Sequence, residues 1–163
     1  MNRRKQSTIL GVTLIELMVV IVVLAIVATI AAPALQNFIR DNRVTAQSNE
    51  LSALVALARS QSTSSLSGYE IRFFSVGNGW SAEVHNLACS PSCMEKALTF
   101  TNTALTVEDD TLPPTLTFND RAVLSSGEVT FALQHVPCAG QRQRAILDVL
   151  ISGSVRTNFS GCL

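Results

Sequence analysis

Gly11-Val12-Thr13-Leu14-Ile15-Glu16 opens directly onto residues 17–35, nineteen residues without a charge. A helix of that length and composition can span a bilayer. A short basic start, Met1-Asn2-Arg3-Arg4-Lys5-Gln6, stands ahead of it. Glu16 is the only charged residue between Lys5 and Arg40. A carboxylate near the centre of a spanning helix costs about 2.5–3.5 kcal/mol, so one that persists has a use and a partner. A cut after Gly11 would supply that partner. The new amine of Val12 would lie four residues from Glu16. Amine and carboxylate can neutralise each other, within one chain or between neighbours.

Outward from this stretch, helical spacing predicts one helix over residues 13–64, about 78 Å long at 1.5 Å per residue. Its halves differ. Residues 17–35 are apolar on every side, as lipid or a fibre core requires. Residues 36–64 are amphipathic, with Val44, Leu51, Leu54, Val55 and Ala58 on one stripe suited to packing on a sheet. Pro33 sits where the character changes. It removes a backbone hydrogen bond and predicts a kink. The serine-rich run Ser60-Gln-Ser-Thr-Ser-Ser-Leu-Ser-Gly68 stops the helix. Strand-like patterning follows over 69–76, 80–87, 98–102, 116–118, 128–135, 145–151 and 155–159, with Gly77-Asn78-Gly79 as a hairpin turn and Pro113-Pro114 as a break. The expected class is α+β: a long N-terminal helix, membrane-spanning first and amphipathic second, packed on an antiparallel β-rich head. The expected divisions are a leader at 1–11, an anchor at 12–35, an amphipathic half at 36–66 and the head at 67–163.

A basic leader ending in Gly11, then Thr-Leu-Ile-Glu16 and an apolar helix, resembles the N-terminal signature of type IV pilins and pseudopilins. Phe38-Ile-Arg-Asp-Asn-Arg43 and Glu50-Leu-Ser-Ala-Leu-Val-Ala-Leu-Ala-Arg-Ser60 resemble the branch holding the type II secretion pseudopilin H and the minor pilins FimU and FimT. The likeness covers residues 11 to about 62. Beyond them only a β-rich plan with a C-terminal cysteine is shared. The resemblance implies cleavage by prepilin peptidase between Gly11 and Val12 and methylation of the new N-terminus. In the family that position is most often Phe; here it is Val12. It implies that Glu16 is the assembly glutamate and that the region around Pro33 melts during assembly. The implied partners are other minor pilins or pseudopilins, the major pilin and the inner-membrane assembly platform, with membrane lipid before assembly.

Composition agrees with an anchored, exported chain. The whole sequence balances twelve basic against twelve acidic residues. Removing the leader takes Arg3, Arg4 and Lys5 and leaves a net of −3. The leader's charge holds the N-terminus in the cytoplasm, so a single inner-membrane pass would place the head in the periplasm. The rival is an ordinary secreted domain behind a signal peptide cut near Ala32-Pro33-Ala34. The length of the apolar run and the Glu at its start count against it.

Cys89, Cys93, Cys138 and Cys162 all lie beyond the apolar run, as an oxidising compartment would have them, and allow three pairings. The favoured one joins Cys89 to Cys93, stapling a short loop, and Cys138 to Cys162, tying the C-terminus to the sheet. A zinc site drawn from Cys89, Cys93 and His85 lacks a second close pair. No cofactor is expected. Catalysis has no support. His85 and His135 are isolated, and Glu108, Asp109 and Asp110 read as a solvated loop.

Arg142, Arg144 and Arg156 fall in the C-terminal third. Arginines can bind DNA phosphates, and FimT-type relatives are associated with DNA uptake through an arginine-containing C-terminal region. DNA is therefore the alternative partner. The plainer reading is solvated strand faces, with Asp148 available for pairing.

Overall fold

The computed structural model describes residues 12–89, 93–107, 112–138 and 140–162. Gly11 and the acidic run Glu108, Asp109 and Asp110 lie outside them. The chain divides into two compact units, Met1–Gln36 and Asn37–Leu163.

The first unit holds the N-terminal part of helix α1 (Leu14–Ser65). Every large apolar side chain between positions 14 and 35 is more than half exposed. The helix is long and apolar enough to cross a membrane.

In the second unit α1 becomes the scaffold of the head. The apolar stripe lands as its spacing requires: Val44, Leu51, Leu54, Val55 and Ala58 are buried. Two serines complete that stripe. Ser48 and Ser62 are fully buried and donate their hydroxyls back to the carbonyls of Thr45 and Arg59. Bonding its own helix satisfies each hydroxyl, which lets a polar residue occupy a core position. Leu66 ends the helix by turning to a left-handed φ of 51°.

Among the described residues eight strands follow: β1 (Tyr69–Val76), β2 (Gly79–Asn86), β3 (Cys93–Thr101), β4 (Thr103–Thr106), β5 (Leu116–Phe118), β6 (Val129–His135), β7 (Arg144–Val149) and β8 (Val155–Ser160). They form two four-stranded antiparallel sheets, ordered β3-β2-β1-β5 and β4-β6-β7-β8. Gly77, at a φ of 56°, opens the turn between β1 and β2. At Gly79 a Cβ would meet the Phe100 carbonyl, so the sheet closes there only over a glycine.

One residue moves the chain from the first sheet to the second. β3 ends at Thr101, β4 begins at Thr103, and Asn102 between them takes a φ of 59°. Asparagine tolerates this region better than most side chains. Inward-facing residues of both sheets and of α1 join in one core. Trp80 stacks on Phe100 at 4.1 Å, and Phe73 of the first sheet meets Phe131 of the second at 6.1 Å. Beneath α1, Trp80 Nε1–H donates to Thr103 Oγ1 at 3.2 Å, and that hydroxyl donates on to Gln47 Oε1. Helix and both sheets are thus tied by one short polar chain.

A β-bulge in β3 has a specific effect. The register shifts between Val84 and His85, leaving Glu95 as the extra residue. Bulges re-aim side chains, and here Glu95 accepts the Tyr69 hydroxyl at 2.7 Å. Asn86 donates to the same hydroxyl. Disulfides join Cys89 to Cys93 and Cys138 to Cys162, with Cα separations of 5.5 and 5.7 Å.

Candidate assembly site

The start of α1 is built by Thr13. Its carbonyl accepts the first helical bond, from the Leu17 N–H at 3.2 Å. Its hydroxyl accepts the backbone N–H of Glu16 at 3.3 Å. Thr13 is therefore the N-cap, and Glu16 occupies the third helical position. The first N–H groups of a helix have no partner within it, and a Thr side chain supplies one. Thr13-x-x-Glu16 has capping-box spacing. That signal lay in the sequence, but the expectation for Glu16 rested on its charge and on the pilin-like resemblance and left Thr13 without a capping role.

Placement in the first turn changes the electrostatics of Glu16. A carboxylate there faces the positive end of the helix dipole, which favours it by about 0.3–1 kcal/mol. That offsets only part of the cost of a charge in lipid, about 2.5–3.5 kcal/mol at the centre of a span. The remainder leaves room for a cationic partner. Val12, exposed and outside the helix, is the residue whose amine a cut after Gly11 would free. Helix α1 continues through Pro33, which has no N–H to donate to the Thr29 carbonyl.

Other candidates disperse. His85 Nε2 lies 3.0 Å from Glu83 Oε2. Among the described residues no group of three or more His, Cys, Asp or Glu is arranged to hold a metal. The three C-terminal arginines do not share one patch. Arg142 lies over the Phe159 ring, 5.1 Å from its centroid. Arg144 starts β7 opposite Ser160, and Arg156 lies opposite Asp148, four residues further along β7 and about 13 Å away.

A model of the type II transport protein GspH family matches residues 47–153. The chain belongs to the GspH family. Its fold is also that of the type IV minor pilin FimU from Pseudomonas aeruginosa PAO1. One FimU crystal structure (space group P21) superposes with a TM-score of 0.55 at 20% identity, covering 72% of this chain and 89% of that one. A second (space group P65) gives 0.54 at 18% identity, covering 70% and 91%. No curated protein matches the chain. The GspH match begins at residue 47, so the motif at residues 11–16 is independent of it. GspH membership and that motif reach the same pilin-like reading from two separate parts of the chain.

Proposed function

We propose that this GspH-family chain is a non-enzymatic structural subunit, a minor pilin or pseudopilin, of a type IV pilus or a type II secretion pseudopilus. Prepilin peptidase removes residues 1–11, and the amine of Val12 is methylated. The apolar half of α1 holds the subunit in the inner membrane with its head in the periplasm. During assembly Glu16 pairs with the N-terminal amine of a neighbouring subunit, which sets the axial register, and the head takes its place at or near the fibre tip.

The observation that carries this reading is the state of Glu16. It is a capped first-turn carboxylate at the head of an apolar helical segment whose large side chains, at positions 14 to 35, all lie open. In a low-dielectric bundle an unpaired carboxylate is costly, and one paired with an amine is tolerated. Glu16→Ala should leave cleavage intact and lower incorporation into fibres at least tenfold, read by immunoblot of sheared material against whole cells. Wild-type incorporation of that variant would remove the proposed role.

A further inference from the structure

The described head is electrically polarised. Arg43 on α1 points its Nη1 at His135 Nε2, 3.4 Å away. His135 ends β6, and its backbone N–H donates to the Gln143 carbonyl at 2.9 Å. Gln143 stands between Arg142 and Arg144, and Arg40 lies three residues before Arg43 on the same helix. The Cys138–Cys162 disulfide and the Cys162 N–H bond to the Gly140 carbonyl pin the loop that carries Arg142. The segments that carry Arg40, Arg43, Arg142 and Arg144 therefore meet at one pole of the second unit. Asp41 is the acidic residue among them. Elsewhere in that unit the described residues include five basic and seven acidic side chains.

This pole is also where the chain arrives from its apolar segment. Arg40 follows Leu35 by five residues, a reach of at most about 18 Å in any conformation. With residues 17–35 in a bilayer, its phosphate headgroups would be anionic groups within chain reach of Arg40. We infer that the pole formed by Arg40, Arg43, Arg142 and Arg144 docks on anionic phospholipid headgroups while the subunit waits in the membrane. Basic residues close to an anionic membrane surface each strengthen binding roughly fivefold, and the effect fades within a Debye length of about 8–10 Å. Docking would hold the head against the bilayer until assembly draws the subunit away. Position favours lipid over DNA: Arg156, the third arginine of the DNA reading, lies outside the pole and opposite Asp148.

The inference rests on the anchored-subunit reading, and the test separates the two. The full mature chain is placed in lipid discs of phosphatidylcholine, with or without phosphatidylglycerol. Amide exchange is then followed over residues 140–144. Exchange about fivefold slower or more with phosphatidylglycerol, reversed by salt, supports docking. The slowing should vanish in the Arg142→Gln/Arg144→Gln double variant and persist in Arg156→Gln. Double-variant exchange that is faster in both lipids would report a loosened loop; the single variants Arg40→Gln and Arg43→Gln then decide, and full retention of the lipid effect in both overturns the proposal. Equal wild-type exchange in the two lipids overturns docking and leaves the anchor intact. Slowing by duplex DNA in neutral discs, with no response to phosphatidylglycerol, makes the pole a nucleic-acid surface and also overturns it. A mature chain that never inserts into discs overturns the anchor reading itself.

Discussion

Thr13 and Glu16 are coupled through the helix start: the Glu16 N–H donates to the Thr13 hydroxyl at 3.3 Å. The residue proposed to guide assembly is thus held by the residue that begins its helix. Thr13→Val keeps the side-chain shape and deletes the acceptor. Loss of an N-cap costs about 1 kcal/mol, so the Glu16 amide should exchange roughly fivefold faster in micelles, and Thr13→Ser should restore protection. Unchanged exchange in the valine variant would show that the cap does not hold this turn.

The Trp80–Thr103–Gln47 chain predicts a second effect. Thr103 is buried and serves as both acceptor and donor. Thr103→Val leaves Trp80 Nε1–H without that partner in the core. An unsatisfied buried group costs about 1–3 kcal/mol. The full chain in detergent should show a lower unfolding midpoint by the near-ultraviolet signal of Trp80, while Thr103→Ser should stay close to wild type.

Two glycines at positive φ should respond unequally to alanine. At Gly127, with φ 80°, an added methyl would enter open space, with nothing within 4 Å. Gly153, at φ 72°, would place a Cβ 2.8 Å from Arg59 Cδ and 2.9 Å from Phe118 Cε1. Gly127→Ala carries the left-handed backbone cost alone, about 1–2 kcal/mol. Gly153→Ala adds an overpacking cost of about 1–3 kcal/mol. Denaturant midpoints of the two variants should rank in that order, and equal midpoints would mean that the β7–β8 turn yields easily.

Tyr69 gives the head an alkaline limit. Burial first, and then its bond to Glu95, raise its pKa above the ordinary 10.0. The neutral phenol is the form the fold prefers. Its contribution to stability is complete below pH 10.0 and is lost as pH rises through the raised value. Thermal midpoints should fall above that pH, and Tyr69→Phe should flatten this part of the profile. A profile unchanged by Tyr69→Phe would place the alkaline limit elsewhere.

Legibility in the sequence followed the strength of each local signal. The apolar helical segment and the buried stripe of α1 were legible because nineteen uncharged residues and a helical repeat of Leu, Val and Ala leave few alternatives. β1 and β5 also fell on the residues expected. β4 was missed, and β3 begins at Cys93 rather than 98, for related reasons. The first half of β3, including Met94, Glu95 and Lys96, lies exposed on an edge strand, so no alternation of buried residues marks it. β4 has four residues and exists because Asn102 swings the chain into the second sheet. Such a corner is decided by tertiary packing. At the candidate site the charge of Glu16 was conspicuous and the capping role of Thr13 was not. In the head, the pole that gathers Arg43 with Arg142 and Arg144 joins residues about a hundred positions apart, which only the folded sheets bring together.

The central claim is that a chain cut between Gly11 and Val12 becomes a fibre subunit. Mass spectrometry of fibres sheared from the native host, searched for the N-terminal peptide, tests it most directly. The account predicts a peptide beginning at methylated Val12 in that material. Abundant fibres without this chain, together with an N-terminal peptide that begins near Ala34 in the soluble periplasm, would contradict it.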